Sequence, residues 1–306
     1  MSEAKQGSRG RNDLIDADLA FGAALPTTTT HYDHRDVALY ALAVGAAKDP
    51  LHAGELSLVY EGSEDGMRVL PTFGAMPAVG SFMKMLADGV EIPGMKAPLA
   101  SVLHGEQRTE ILAPLPASAT LEHRARVLDV QDRGRHAVVV YEFVSHDAQS
   151  GKALLRNEVS TLVRGAGGFA GEKAQVAEPP APPDRPADAV VEEATLPNQA
   201  LLFRLCGDWN PLHADPAFAA HAGFPRPILH GLCTFGFAGR HVVNAMAGGD
   251  PTRVRSLSGR FSDVVFPGET LVTELWKEGS RVWLKTSTKE RGKVAFSHGL
   301  VDLADW

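Results

Sequence analysis

Hydrophobic and polar positions along the chain fall into two similar runs. Val37, Leu39, Tyr40, Leu42 and Val44 recur at helical spacing from about His34. Residues 50–100 are mixed and rich in Gly and Pro, and predict loops with short helices, one over Val79 to Leu86. From about Arg108 the period shortens. Leu121 to Leu128, Val138 to Val144 and Glu158 to Val163 alternate or are β-branched, with Asp132-Arg133-Gly134 as a turn, and predict strands. Then Gly165-Ala166-Gly167-Gly168 and Pro179-Pro180-Ala181-Pro182-Pro183 read as a linker. Beyond it the order repeats. Asn198 to Cys206 is helical, Asp215-Pro216 opens a short helix, and Gly231 to Ala247 is apolar nearly all round. Strands follow at Val254 to Phe261, Thr270 to Trp276, Arg281 to Ser287 and Val294 to Leu303. A helix-rich segment before antiparallel strands, twice over, predicts an α+β protein in which each half lays an apolar helix on a curved sheet.

Short identities support a duplication. Val102-Leu103-His104-Gly105 matches Ile228-Leu229-His230-Gly231 at an offset of 126 (230 − 104), and Asp49-Pro50-Leu51-His52 echoes Asn210-Pro211-Leu212-His213 at 161 (213 − 52). Ile111-Leu112-Ala113-Pro114 resembles Val264-Val265-Phe266-Pro267. The unequal offsets imply about 35 extra residues in the first copy. The predicted organisation is a tail over 1–30, a first repeat over 31–165, a linker over 166–190 and a second repeat over 191–306. The two sheets are expected side by side, with the first 13 residues a loose tail.

Composition narrows the class. The 306 residues are 44% apolar and 22% charged, an ordinary globular balance, and the net charge of −7 argues against general nucleic-acid binding. No apolar run reaches membrane-spanning length and no leader is visible, so no membrane partner is expected and the cytoplasm is the expected location. Cys206 and Cys233 have no CxxC or zinc spacing, and His213, His221 and His230 do not make a zinc site, so no metal is expected. Gly165, Gly167 and Ala170 formally fit a dinucleotide loop, but the proline cluster leaves no helix to follow it.

The chemistry concentrates in Gly207-Asp208-Trp209-Asn210-Pro211-Leu212-His213 and in Gly231 at a predicted helix start. A carboxylate and an imidazole can move protons through one water, and a helix-terminal N–H can receive an oxyanion. On the residues alone Asp208 reads equally well as a turn cap. Cys206 beside Asp208 and His213 reads as a buried structural thiol rather than a nucleophile. His230, echoed by His104, reads as structural.

The Asp-x-Asn-x-x-His signature, with Tyr60-Glu61-Gly62, Leu70-Pro71-Thr72-Phe73-Gly74, Leu103-His104-Gly105-Glu106-Gln107 and Phe266-Pro267-Gly268-Glu269-Thr270, resembles the type 2, (R)-specific enoyl-CoA hydratases, or MaoC-like hydratases. The likeness runs from about His31 to Leu303 and includes the hydratase unit of peroxisomal multifunctional enzyme type 2. It implies a double hot-dog fold and reversible hydration of a trans-2-enoyl-CoA to a (3R)-3-hydroxyacyl-CoA without metal or redox cofactor. It also implies Asp208 and His213 as catalytic pair, Asn210 and the Gly231 N–H at the substrate, and a homodimer. Arg260, ahead of Arg253, Arg255 and Lys277, is the expected contact to the CoA phosphates. Dehydration of an acyl-carrier-protein or branched or steroid acyl-CoA thioester, thioester hydrolysis, and non-catalytic acyl-CoA binding are the competing readings. The first repeat lacks an equivalent of Asp208, so one active site per chain is expected, with the acyl chain reaching into the first repeat.

Overall fold

The computed structural model describes residues 9–64, 66–98, 101–171 and 180–304. The first repeat runs α1 (Ala17–Ala20), β1 (Thr28–Tyr32), α2 (His34–Ala43), α3 (Ala53–Leu56), α4 (Met76–Ala87), β2 (Val102–Ile111), β3 (Ala119–Asp132), β4 (Ala137–Asp147) and β5 (Ala153–Val163). The second runs β6 (Ala189–Ala194), α5 (Gln199–Phe203), α6 (Pro216–His221), α7 (Gly231–Met246), β7 (Val254–Phe261), β8 (Thr270–Glu278), β9 (Arg281–Thr288) and β10 (Lys293–Leu303). Among the described residues, the ten strands form one sheet in the order β1-β3-β4-β5-β2-β7-β10-β9-β8-β6. Read inward from either end, the order within each half is the same, so the halves are related as two copies meeting edge to edge. They meet where β2 pairs antiparallel with β7, from Glu106↔Arg260 to Glu110↔Ser256. This is the double hot-dog expected, and the shared ladder leaves neither inner edge unpaired.

Local chemistry accounts for the elements. Asp33 caps α2 in a reciprocal box with Asp36. Strand β5 alternates buried and half-buried positions, as a one-sided sheet requires. Every residue of α7 except Gly231, Asn244 and Ala245 is buried. It packs against the first repeat so closely that a Cβ on Gly236 would lie 2.4 Å from Val44 Cγ1. The charged residues inside this seam are paired. Arg240 of α7 binds the carboxylates of Glu55 and Glu193 and donates to the Val44 carbonyl at 3.0 Å. Asn244 Nδ2 donates to Glu55 at 2.7 Å, and Lys48 lies 2.8 Å from Glu193. Burial opposes ionisation of Glu193, but His241, Arg240 and Lys48 outweigh it and hold its carboxyl at about 2.

The structure corrects several expectations. Residues 1–8 of the expected tail and 172–179 of the expected linker lie outside the described residues, but what surrounds them is packed. Ile15, Ala17, Ala20 and Leu25 are buried, and Gly22 and Leu25 bond to the backbone of β3. The first part of the linker is also docked: Asp132 accepts from Gly168 and Ala170, and Ala166 is buried. Strand β2 begins at Val102 rather than near Arg108, and the 198–206 helix divides into α5 and a 3-10 turn over Arg204–Cys206.

One of the three repeat matches is out of register. His104-Gly105 lies inside β2, whereas His230-Gly231 opens α7. The other two matches sit at equivalent places, before the central helix and after the first strand that follows it. His52 precedes Val102 by 50 residues and His213 precedes Val254 by 41, so the first copy is longer by about 9 residues rather than 35.

The seam gives a stability prediction. Arg240→Met should cost about 3–5 kcal/mol in urea unfolding, because it removes the buried cation shared by the Glu55 and Glu193 carboxylates. A loss below about 1 kcal/mol would show that the ion cluster does not hold the halves together.

Candidate active site

Chain reversal at Gly207, with φ of 118°, carries the chain from the 3-10 turn at 204–206 into Asp208. The Asp208 carboxylate accepts from the Asn210 N–H at 3.2 Å, and the Asn210 side-chain oxygen accepts from the Leu212 N–H at 3.0 Å. Asp208 is therefore a turn cap, yet one that keeps further acceptor capacity, and it borders an internal chamber. The turn-cap and acid readings describe the same residue. Asn210 spends its oxygen on the turn and keeps its amide N–H groups for the chamber it lines.

His213 closes the Pro211–His213 turn. Its Nδ1–H donates to the Ile228 carbonyl at 2.9 Å, which assigns the tautomer and leaves Nε2 with a lone pair. Burial pushes its pKa below the ordinary histidine value, against the pull of the Asp208 carboxylate. His230 stacks on it with ring centroids 3.7 Å apart and planes at 27°, and Phe203 backs His230 at 4.9 Å. His230 Nε2–H donates to the Asp208 backbone carbonyl at 3.2 Å. Burial drives its pKa well below the ordinary value, so it stays neutral. It fixes both the Asp208 backbone and the His213 ring, a positioning role in keeping with its structural reading.

Gly231 is the first residue of α7, so its N–H lies outside the helix's own hydrogen-bond ladder, at the positive end of the helix. A Cβ there would meet the Phe261 ring at 3.1 Å. Glycine lets that ring close over the helix start. Asp208, Asn210, His213 and Gly231 all line the same chamber of about 590 Å³. Its far wall comes from the first repeat: Val79, Phe82 and Leu86 of α4, Phe143 of β4, and Val159 and Leu162 of β5. An adjoining chamber of about 690 Å³ shares Met83, Leu103, Asn210, Leu212 and Phe224 with it and carries Lys84, Arg164 and Trp209.

Arg260 is not part of this arrangement. It bonds to Glu106 at 2.8 Å and borders a separate hollow on the other face of the sheet. The strand's twofold alternation sends Phe261 to the chamber and Arg260 away from it. Lys277 and Arg253 are bound to the backbone carbonyls of Met246 and Ala247, and neither they nor Arg255 lines either chamber. The cations that do line the outer chamber, Lys84 and Arg164, come from the first repeat, where the motif gave no reason to look. His104 of β2 also reaches the inner chamber. The glycine after it, inside a strand pattern, was the available signal of a bulge.

Asp208, His213 and His230 bring ligand-type atoms within 4.8 Å of one another. The near-parallel stack keeps the two rings' in-plane lone pairs side by side rather than converging, and one nitrogen of each ring is already committed to a carbonyl. The donor set suits proton transfer through a water better than a tetrahedral ion.

A double hot-dog with an Asp–His pair beside the N-terminus of its enclosed helix is the class this geometry defines. Residues 30–165 match the MFE-2 hydratase 2 N-terminal domain, and residues 178–298 match the MaoC like domain. The chain is 44% identical over 300 residues to an enoyl-CoA hydratase 2, peroxisomal, of Arabidopsis thaliana, covering 94% of this chain and 96% of that one. It is 45% identical to the peroxisomal multifunctional enzyme type 2 of Mus musculus, over 93% of this chain but 38% of the mouse protein. Among solved structures, a MaoC-like dehydratase from Phytophthora capsici superposes with a TM-score of 0.83 at 30% identity, covering 95% of this chain and 98% of that one. The chain belongs to the MaoC-like enoyl-CoA hydratase 2 family.

The buried His213 sets a pH expectation. Its neutral form, which carries the free Nε2 lone pair, persists below the ordinary value of 6.5. The acid limb of kcat/KM should therefore have its midpoint below pH 6.5, with activity level above it. A midpoint at or above 6.5 would contradict the burial argument.

Proposed function

We propose that this chain adds water across the double bond of a trans-2-enoyl-CoA to give a (3R)-3-hydroxyacyl-CoA, and catalyses the reverse dehydration at the same site. The observation that carries the reading is the convergence of Asp208, His213 and the start of α7 on one chamber. Water bonds to C3 as the C2–C3 π pair shifts toward the thioester oxygen. The Gly231 N–H and the helix dipole stabilise charge at that oxygen. The Asp208–His213 pair takes a proton from the water, and a proton is returned to C2. The two groups are coupled and act as one unit. Addition of water involves no net oxidation, so the reading needs no redox cofactor, and the stacked imidazoles favour a reaction without a metal.

The acyl chain is assigned to the chamber walled by the first repeat, and the CoA portion to the outer chamber with Lys84 and Arg164. The first repeat is thus a substrate-holding unit without its own Asp208. The division into repeats at 31–165 and 191–306, joined through 166–190, is part of this proposal, as is assembly into a homodimer. No helix among the described residues is long and apolar enough to cross a membrane. Cytoplasmic location remains a proposal beside the peroxisomal names of the Arabidopsis and mouse relatives.

Asp208→Asn and His213→Ala should each lower hydration of crotonyl-CoA or a longer enoyl-CoA by about 10³-fold, the range for a general acid–base group. Circular dichroism and melting temperature should stay near wild type. Near-normal turnover in both variants would remove the assignment.

A further inference from the structure

Two buried nitrogens behind the catalytic turn are complementary. His230 donates from Nε2 to the Asp208 carbonyl, so its Nδ1 carries a lone pair. That Nδ1 is buried and accepts from no group among the described residues. Arg204 follows Phe203, whose ring backs His230. Its Nε–H is buried and donates to no group among the described residues. The guanidinium is close enough to His230 for its charge to oppose protonation of the ring. An unmatched acceptor and an unmatched donor each cost about 1–3 kcal/mol, and a hydrogen bond between them, direct or through one water, satisfies both.

Arg204 also bears on the turn that presents Asp208. Among the described residues it forms no ion pair with a carboxylate. It lies instead over the Trp209 ring, 4.5 Å from the centroid. Residues 204 and 209 clasp the reversal between them, where the Gly207 N–H donates to the Arg204 carbonyl at 3.2 Å and Gly207 takes its φ of 118°.

The reaction gives this cation a task. In hydration the Asp208–His213 pair takes a proton from water. His230 is stacked on His213 and has a lone pair of its own, so it is the nearest competing base. The groups facing it are the His213 ring, the Phe203 ring, Asp208 and Arg204. Only Arg204 among them is a permanent cation. A guanidinium bonded to Nδ1 occupies that lone pair and disfavours positive charge on the ring.

We propose that Arg204 is a positioning residue for the reaction. Held flat on Trp209, it donates from Nε, directly or through one water, to His230 Nδ1. It thereby keeps the transferred proton on the Asp208–His213 side of the stack and the Asp208 turn in place. Arg204 lines neither chamber, so it acts through these neighbours and not on substrate. The inference rests on the hydratase reading. Wild-type turnover of an enoyl-CoA tests that reading first, and the Arg204 variants are compared only with an active wild type.

The test uses Arg204→Met, Arg204→Gln and Arg204→Lys in the full chain. The pH profile of kcat/KM for an enoyl-CoA is measured beside binding of a saturated acyl-CoA. Loss of the cation lets the stacked imidazoles protonate more readily, and the protonated form lacks the free base. Arg204→Met should therefore lower kcat about tenfold or more and move the acid limb up by about half a pH unit or more. Saturated acyl-CoA affinity should stay within about twofold of wild type, because no chamber wall changes. Arg204→Gln should share the shifted limb. Arg204→Lys keeps the charge without the planar stack, so it should return the limb to the wild-type position while recovering only part of kcat. The proposal is overturned if the acid limb stays in place in Arg204→Met, or moves as far in Arg204→Lys. It is also overturned if Arg204→Met keeps kcat within twofold of wild type, or loses saturated acyl-CoA binding in parallel with kcat. If the Met variant does not fold, Arg204→Gln is read in its place by the same criteria.

Discussion

The placement of α7 is the constraint on which the rest of the structure depends. Its first residue must face a chamber that admits substrate, while nearly all the residues behind it are sealed. Both repeats supply that seal. Gly236 admits Val44, and the Arg240 ion cluster ties α7 to the 44–55 segment of the first repeat and to β6. A helix held in this way has a fixed N-terminus, and a fixed N-terminus is what the oxyanion role proposed for the Gly231 N–H requires, since such a donor works by being preorganised.

The same burial sets the chemistry of the imidazoles. His213 and His230 are kept neutral by removal from water, and their backbone carbonyl partners choose which nitrogen is free. His230 contributes by stacking on His213 and holding the Asp208 backbone. The two repeats have therefore divided the work. The second carries the Asp–Asn–His turn and the helix start. The first carries the apolar far wall, the cations of the outer chamber and His104.

What was legible in the sequence was what is local in the chain. The Asp208 to His213 turn is a six-residue unit whose internal hydrogen bonds follow from its own residue types. Helix α7 and the alternating strands are written in hydrophobic period. What was not legible depends on register between distant segments. Arg260 is one residue from Phe261, yet the pleat puts the two on opposite faces of the sheet. His104 was paired with His230 because three successive residues are identical, although one lies in a strand and the other caps a helix. The bulge at Gly105 that turns His104 inward is a property of the ladder with β5. Likewise, residues 9–25 mix charged and apolar positions, and nothing in that pattern announces that they pack on β3, because that contact is tertiary.

The central claim is that one site per chain, built on Asp208, His213 and the start of α7, hydrates an enoyl-CoA from a single face. Chiral analysis of the product from a panel of trans-2-enoyl-CoA substrates tests it most directly. The account predicts the 3R alcohol alone across the panel. A 3S or racemic product, or binding of enoyl-CoA without water addition, would contradict it.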